Sequence, residues 1–412
     1  MKRMIALILL CVFTAALLSG CGAKAQKSAE GTPTPIADET PTPQQGTVSE
    51  ASAAAREEDF PSGDVALPDG STVDNHISTL DLSYIADKDV SAAVEAIGAL
   101  PALKLVELGA QRGGLGWDSV KRICDACGDV DISYAFTLYG KDFHQADTRM
   151  DLNHIEMDDD GELVRQAAAC MPNLRFLDMD SCGVDNEHMA ALRDSLPNTK
   201  VVWRIWFGEM YSVRTDVERV LASQNSKGGL LERAEPLKYC TDVKYIDLGY
   251  NIVLKDVEFA AFMPKLEVAV LAWNDISDLS PLAKCPNLEY LELQLNPISD
   301  LTPLSGLKNL KHLNVCQCEM LHDISPLYSM TQLERLWIGG MSGVPQEQID
   351  EMRESVPKCL VNNTAGEPTE GQWRSAEVGE FFPLHPRYEL LREQFGYYED
   401  SAFSYDRNDP LY

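Results

Sequence analysis

Residues 288–304, which read LEYLELQLNPISDLTPL, decide the fold of this chain. Leu291 and Leu293 alternate with polar residues, as expected for a short strand with one buried face. Asn296 follows where the chain must turn, and its side-chain amide can satisfy turn backbone that would otherwise be buried unpaired. A segment this short cannot bury its own apolar face, so it predicts copies of itself stacked side by side.

The same pattern recurs along the chain with a period of about 22 residues. Each copy opens on an apolar residue, carries Asn or Cys at the turn and ends on a Pro–Leu pair, with one residue inserted near Leu321. Val243 and Leu333 extend the series on either side. The repetition predicts a parallel sheet built from one strand of each copy. The aligned positions are Leu266, Leu288 and Leu310, then Asn274, Asn296 and Cys318, then Pro281, Pro303 and Pro326.

Longer copies with the same order of elements precede this region, for about twelve turns in all. Residues 131–140 and 200–208 also resemble each other, and each is followed by a turn containing Thr and Asp. They indicate two copies of a longer unit. The predicted strands are residues 77–82, 103–108, 130–138, 154–157, 174–179 and 201–207, and the predicted helices include residues 89–99 and 186–195.

The N-terminus carries an export signal. Lys2 and Arg3 precede an apolar run over residues 4–18, which is too short to span a bilayer. An ordinary secretory signal would end in an A-x-A-like site, whereas residues 17–21 read LLSGC, the pattern of a bacterial lipoprotein signal. We therefore expect a signal peptide over residues 1–20, a lipid on Cys21, and a disordered tether rich in Thr, Pro and Ala up to residue 62.

Composition excludes other classes. The 412 residues are 45% apolar, which is too much for a disordered chain. The 64 acidic and 35 basic side chains give a formal net charge of −29. A surface this acidic repels phosphate backbones, so nucleic acid is not an expected partner.

Two features of the chain together resemble known families. The copies fit L-x-x-L-x-L-x-x-N/C-x-L, the leucine-rich repeat, and residues 296–304 resemble internalin-type proteins of Gram-positive bacteria. The lipoprotein signal, with GQWR at 371–374 and HPRY at 385–388, resembles leucine-rich-repeat lipoproteins of Firmicutes. The resemblance implies an α/β solenoid: a curved horseshoe with a parallel sheet on its concave face and helices and extended segments on its convex face. It also implies an extracellular recognition scaffold without catalytic residues.

Three folded regions follow from these patterns. The longer repeats occupy residues 63–235, and the 22-residue repeats occupy residues 236–365. Residues 366–412 are rich in aromatic side chains, which are more often buried than displayed. Because the open end of a solenoid exposes core, we expect this segment to cap that end, with a helix from Pro386 to Phe395, in preference to forming an independent binding tail.

The cysteines do not form a complete disulfide framework. Of eleven, Cys11 leaves with the signal and Cys21 is lipidated, so an odd number remains. Most occupy repeat positions where a small apolar side chain is expected. Cys124 and Cys127 are spaced like a redox motif but lie in a predicted helix without the βαβ context of a thioredoxin, which argues against redox or metal chemistry.

No catalytic or cofactor motif is present. Residues 156–161 resemble a calcium loop, but its twelfth position is Ala167 where a bidentate Glu is needed. There is no G-x-S-x-G, no H-E-x-x-H and no phosphate-binding loop, and we expect no cofactor and no enzyme activity. A surface glycosidase using acids on neighbouring strands, and a solute-binding lipoprotein with two lobes, remain as alternatives.

The expected function is binding of a protein or a cell-wall polymer that carries basic groups. Outward strand positions are frequently acidic, and like charges on neighbouring strands favour a cationic ligand. Aromatic side chains beside them can concentrate binding energy and hold cations. The predicted site on the concave face comprises Tyr245, Asp247, Tyr250, Trp273, Tyr290, Glu292, His312 and Trp337.

Overall fold

The computed structural model describes residues 61–208, 211–223, 231, 233–340, 343–369, 372–374 and 384–395. The predicted signal peptide, Cys21 and all but the last two residues of the tether lie outside these ranges. The contacts divide the chain into Met1–Asp59 and Phe60–Tyr412, and every described residue belongs to the second unit.

Thirteen strands of the described residues run parallel, in sheets of three, three and seven. The first sheet contains β3 (Thr79–Asp81), β4 (Leu105–Gly109) and β5 (Asp131–Leu138), and the second contains β7 (Arg149–Asp151), β8 (Phe176–Asp178) and β9 (Lys200–Val202). The third contains β12 (Arg219–Leu221), β13 (Tyr245–Asp247), β14 (Val268–Val270), β15 (Tyr290–Glu292), β16 (His312–Asn314), β17 (Arg335–Trp337) and β18 (Leu360–Asn362).

An antiparallel hairpin marks the start of each sheet. The hairpins are β1 (Asp64–Ala66) with β2 (Thr72–Asp74), β5 with β6 (Lys141–His144), and β10 (Arg204–Phe207) with β11 (Tyr211–Arg214). The two similar stretches of sequence contain the first strands of the second and third hairpins, β5 and β10, and the first hairpin is a further copy that the sequence did not reveal. The spacing is constant, because the returning strands end at Asp74, His144 and Arg214 and the next strands are centred on Leu80, Met150 and Val220.

The outer side of the repeats changes along the chain with repeat length. The longer repeats hold α1 (Val90–Gly98), α2 (Trp117–Cys127), α3 (Glu162–Ala169) and α4 (Asn186–Ser195). The 22-residue repeats have room only for 3-10 turns, at Glu235–Tyr239, Glu258–Phe262, Ser280–Lys284, Thr302–Leu304 and Ser325–Leu327. Two further helices are α5 (Gln346–Ser355) and α6 (Pro386–Phe395).

The turns beneath the third sheet are closed by Asn251, Asn274 and Asn296, which we call the Asn ladder. Asn296 is 3% exposed, and its Nδ2 donates to the carbonyls of Leu271 and Leu293, both at 2.9 Å. Its Oδ1 accepts from the backbone N–H of Ile276 at 3.0 Å. One side chain therefore satisfies backbone groups of two successive turns, as predicted. At the next ladder position the thiol of Cys318 donates to Leu293 at 3.4 Å.

Most element predictions are confirmed, and one strand is displaced. The helices predicted at residues 186–195 and 386–395 are α4 and α6, and the helix at 89–99 contains α1. The strand predicted at 154–157 is wrong, since the strand of this turn is β7 and His154 lies in a turn at φ +59°. The hairpin before β7 shortens this repeat, which moves the strand towards the N-terminus. Within the described residues, no helix has both the length and the hydrophobicity needed to cross a bilayer.

Candidate functional site

The predicted site residues are brought together on the inner face of the third sheet. One row across the strands contains Tyr245, Val268, Tyr290, His312 and Arg335, as the parallel register shows. The next outward row contains Asp247, Val270, Glu292, Asn314 and Trp337. Tyr250 and Trp273 lie just beyond the strand ends, with their ring centroids 5.3 Å apart.

This face is covered by the chain's own C-terminal residues. We call residues 365–369 and 372–374 together with α6 the C-terminal segment. It packs on the inner face of the sheet, where we had expected it to cap the end of the solenoid. The indole of Trp373 is fully buried between Tyr290 and Trp337, at centroid distances of 5.2 and 5.3 Å. The face itself carries large aromatic side chains, so covering it buries more apolar surface than leaving it open to solvent.

Glu292 is the polar centre of the covered face. Its carboxylate is fully buried and accepts four side-chain hydrogen bonds. Two come from its own strand region, from Tyr290 Oη at 2.5 Å and Gln294 Nε2 at 3.0 Å. The other two come from the C-terminal segment, from Trp373 Nε1 at 2.7 Å and Arg374 Nη2 at 2.8 Å.

The electrostatics of this group keep Glu292 ionised. Burial alone would raise the pKa of Glu292, but the charge of Arg374 and the donated hydrogen bonds hold it below its usual range. Burial likewise opposes the charge on Arg374, and the Glu292 carboxylate raises the pKa of that guanidinium. The two groups form a buried ion pair whose members each depend on the other.

Side chains of the sheet also hold the backbone of the C-terminal segment. Arg335 Nη1 donates to the carbonyls of Gln372 and Trp373, at 3.0 and 2.8 Å. Arg335 Nε donates to His312 Nδ1 at 3.0 Å, which sets the ring as an acceptor. Asn314 Nδ2 donates to the carbonyl of Pro368 at 2.8 Å. The sheet thus recognises an extended backbone as well as an indole and a guanidinium.

Helix α6 extends the cover towards the first strands of the sheet. Leu391 and Phe395 are buried in one apolar cluster with Leu221 and Val270. At the end of the helix, Arg219 Nη1 donates to the carbonyl of Gln394 at 2.9 Å. Between α6 and the sheet lies a cavity of about 440 Å³. Its lining includes Asp247, Tyr250, Glu292, Arg374 and Tyr388.

Burial divides the predicted site residues into two groups. Asp247, Tyr290, Glu292, His312 and Trp337 are buried, and Tyr245, Tyr250 and Trp273 are half-buried. Six of the eight lie in the two rows across the sheet, and Tyr250 and Trp273 follow the ends of β13 and β14. Sequence reasoning placed Asn314 in the outward row of this face, but it did not identify Arg335, Trp373 and Arg374 as parts of it. The aromatic enrichment after residue 371 was the available signal for the last two.

The inner face of the second sheet carries a separate charge network. Arg204 donates to both oxygens of Asp180, from Nε and Nη2, each at 2.9 Å. Arg214 Nη1 donates to Asp178 at 3.0 Å and lies 3.7 Å from Asp180. This network ties the hairpin of β10 and β11 to the end of β8. The indole of Trp206 on the same hairpin is 62% exposed.

Comparisons with known proteins concern the repeats. Residues 264–306 match the family Leucine Rich repeats (2 copies). No curated protein matches the chain in sequence. Among solved structures, an internalin (inlF) from Listeria monocytogenes is 17% identical, with 73% of this chain and 86% of that chain covered and a TM-score of 0.31.

Two other structures from Listeria monocytogenes are similar to the same degree. The internalin inlC2 is 18% identical, covering 61% of this chain and 83% of its own, with a TM-score of 0.28. The functional domain of InlJ, which includes a cysteine ladder, is 12% identical, covering 76% and 57%, with a TM-score of 0.29. The match to the repeat family, with the parallel strands and the Asn ladder, identifies the folded region as a leucine-rich-repeat solenoid.

Proposed function

We propose that this protein is a lipid-anchored binding protein on the outer face of the cell membrane. Its ligand is a protein segment carrying an aromatic and a basic side chain, bound on the inner face of the third sheet. The membrane anchor is the diacylglycerol on Cys21, with residues 21–62 as the tether. The whole proposal concerns recognition and not catalysis.

The occupant of the inner face supports this proposal. The face holds an indole against two aromatic rings, a guanidinium on Glu292, and backbone carbonyls on Arg335. These are the elements by which an extended peptide with adjacent Trp and Arg residues is recognised. The C-terminal segment serves as the internal version of such a ligand, so an external ligand must displace it.

An external ligand binds more weakly because it must first displace the C-terminal segment. A segment tethered to its own site competes at an effective concentration in the millimolar range. The affinity measured for an external ligand is reduced by the fraction of chains in which the site is open. The proposal therefore predicts weak binding to the intact chain and stronger binding once the internal segment is weakened.

The glycosidase alternative requires a carboxylic acid that can donate a proton. Asp247 and Glu292 both line the cavity under α6, but the pKa of Glu292 is lowered and its carboxylate already accepts four side-chain hydrogen bonds. It is held as an acceptor and an ion-pair partner. The solute-binding alternative requires two lobes about a hinge, whereas β12 to β18 form one continuous hydrogen-bonded sheet.

The test uses a fluorescent peptide with the sequence of residues 366–395 and the full-length chain. Binding is compared between the parent and a variant carrying Trp373→Ala and Arg374→Ala, which weakens the internal segment. We expect at least tenfold tighter binding to the variant, and loss of that gain when Glu292→Ala is added. A control peptide with its Trp and Arg replaced by Ala should not bind.

Equal binding of both peptides to all variants would contradict recognition on this face. A second experiment sediments the full chain with isolated cell wall and measures how much of the protein is retained. Retention on cell wall without any binding of the peptide would assign the ligand to the polymer class instead.

A further inference from the structure

A second cavity lies at the junction between the first and second parallel sheets. Its volume is about 260 Å³. The end of α2, the start of β5 and the loop that follows α3 surround it. None of the described residues that line it belongs to the covered inner face. A ligand of this cavity is therefore independent of the ligand proposed above.

Gln145 places a hydrogen-bond acceptor without a partner in the wall of this cavity. The residue is 8% exposed, and its Nε2 donates to the carbonyl of Ile132 at the start of β5. Its Oε1 is buried and accepts no hydrogen bond from the described part of the chain. Such an acceptor is normally satisfied by a group in the adjoining space. Because Gln145 lines the cavity, a donor that enters there can reach it.

The open acceptor is particular to the second hairpin. One residue closes the base of each hairpin, with its backbone N–H donating across the hairpin: Asn75, Gln145 and Thr215. In the first hairpin, Asn75 Oδ1 accepts from the N–H of Gly63 at 3.2 Å. In the third, Thr215 Oγ1 accepts from the N–H of Trp203 at 3.2 Å. Gln145 has the longest side chain of the three, and its oxygen is the one that the backbone does not use.

Every charged side chain that lines the cavity is acidic. The three are Asp125, Asp129 and Asp131, and all are exposed. Asp125 is already paired with Lys121, whose Nζ lies 2.9 Å from both carboxylate oxygens. A cleft lined by one sign of charge concentrates ions of the opposite sign. The cavity therefore favours a cation that can also donate a hydrogen bond to Gln145.

The remaining walls favour an aliphatic chain. Most of the other side chains that line the cavity are small and apolar: Cys124, Cys127, Val130, Ile132, Ala169, Cys170 and Pro172. A methylene chain gains by leaving water for such a surface, while its charged end stays with polar partners. At roughly 30 Å³ for each water-sized group, the cavity has room for a short chain.

A metal ion fits this arrangement less well than an organic cation. Among the described residues, no three His, Cys, Asp or Glu side chains are placed to hold one. Hard metal cations take about six or more oxygen ligands. An ammonium group has three N–H donors and needs only as many acceptors.

We propose that this cavity binds a primary ammonium group carried on an aliphatic chain. The ammonium donates to Gln145 Oε1, and the carboxylates of Asp129 and Asp131 balance its charge. The chain packs against the apolar walls. Such an amine has a pKa of about 10.4 and is charged at neutral pH. A free alkylamine and a lysine side chain both present this group.

The test titrates the full-length chain with pentylamine at neutral pH by isothermal calorimetry. Salt at about 0.15 M screens general attraction to the acidic surface. We expect one pentylamine bound per chain. The matched probe is 1-pentanol, which has the same carbon chain and no charge, and it should bind at least about tenfold more weakly.

Gln145→Asn is the decisive variant, because Asn75 shows that an Asn oxygen at this place in a hairpin bonds to the backbone. We expect its affinity for pentylamine to fall at least about tenfold, with an unchanged circular dichroism spectrum. Asp129→Asn with Asp131→Asn should weaken binding at least about fivefold. Glu347→Gln with Glu351→Gln removes the same charge from the exposed side of α5 and should leave the affinity unchanged.

Equal affinities for pentylamine and 1-pentanol would overturn the proposal. So would equal losses in the two double variants, or an affinity unaffected by Gln145→Asn. Titrations that show no saturable binding would mean that water alone satisfies Gln145, which also overturns it. The comparison of the two probes is made on the native chain, so it stands even when a variant fails to fold.

A third probe identifies the source of the ammonium group. Lysine blocked as the Nα-acetyl N-methylamide presents the side chain as a protein would. Tighter binding of pentylamine than of blocked lysine supports a free amine as the ligand. Tighter binding of blocked lysine supports the side chain of a protein. Binding of neither probe contradicts an ammonium site.

Discussion

The carboxylate of Glu292 and the guanidinium of Arg374 form an ion pair, with Oε2 and Nη2 2.8 Å apart. The two residues are 82 positions apart in the sequence. Glu292 belongs to the middle of a seven-stranded sheet, and Arg374 belongs to the segment that follows the last strand. The pair fixes where the C-terminal segment crosses the sheet. A buried charge that loses its partner is costly, so each residue holds the other in place.

The Asn ladder predicts a stability change that a surface substitution does not reproduce. Asn296→Ala leaves the carbonyls of Leu271 and Leu293 and the N–H of Ile276 without their partner in a buried turn. We expect the free energy of unfolding to fall by about 1 to 3 kcal/mol. Urea denaturation followed by circular dichroism measures it.

Asn309→Ala is the matched control for the ladder. Asn309 also donates to a backbone carbonyl, that of Pro286 at 2.9 Å, but it is exposed. Its removal should cost about 0.5 kcal/mol or less. Equal losses of unfolding free energy for Asn296→Ala and Asn309→Ala would show that Asn296 does not stabilise the buried turn.

The covered face predicts a loss of stability in mild acid. Burial, with the charge of Arg335 nearby, lowers the pKa of His312 from 6.5 to about 3. Between these two values the unfolded chain binds a proton on His312 that the folded chain does not, so stability falls as the pH falls through this range. At about pH 4.5 the loss from this residue should reach about 2.5 kcal/mol.

His312→Gln isolates that contribution, since Gln can accept from Arg335 but does not titrate. The difference in unfolding free energy between about pH 7 and pH 4.5 should be smaller in the variant than in the parent. Glu292 and other carboxylates lose stability in acid in both proteins and cancel in this comparison. Identical pH dependence would mean that His312 is protonated as easily in the folded chain as in the unfolded one.

The export signal predicts how the protein partitions. Cys21→Ser removes the thiol that would accept the lipid and leaves the folded region unchanged. We expect the variant to move from the membrane fraction to the soluble fraction when expressed in a Gram-positive host. The parent and a Cys11→Ser variant, which changes a cysteine within the predicted signal peptide, are the controls. Retention of the Cys21→Ser variant in membranes would disprove lipid anchoring at this position.

The repeat could be predicted because the residues that determine its structure lie close together in the sequence. The alternation of Leu291 and Leu293 and the turn at Asn296 lie within one short segment, and the copies fix how the segments stack. Helix α6 was also predicted, because Pro386 marks a helix start. These features depend on residues close together in the sequence.

The cover over the inner face could not be predicted in the same way. The sequence shows that the residues from 366 onwards are rich in aromatic side chains, but it does not show which exposed surface they meet. The end of the solenoid and the inner face both offer apolar surface. The choice is made by partners far apart in the sequence, such as Trp373 with Tyr290 and Trp337, and Arg374 with Glu292.

The hairpins were likewise only partly predictable from the sequence. The likeness of residues 131–140 and 200–208 indicated two copies of a longer unit, and each copy contains the first strand of one hairpin. The third, β1 with β2, shares their position before a sheet but little of their sequence. Only the constant spacing of Leu80, Met150 and Val220 in the structure shows that all three begin equivalent units.

The central claim, that the C-terminal segment is held on the sheet by Glu292 and Arg374, is tested most directly by a double-mutant cycle. Glu292→Gln, Arg374→Gln and the double variant are compared with the parent by hydrogen exchange of the backbone amides of α6. Each single substitution should lower the opening free energy by about 3 kcal/mol, and the double variant should lose at least about 1.5 kcal/mol less than their sum. Arg353→Gln with Asp350→Asn, an exposed pair, is the control cycle and should leave α6 unchanged. Additive effects of Glu292→Gln and Arg374→Gln, or amides of α6 that exchange freely in the parent, would contradict the account.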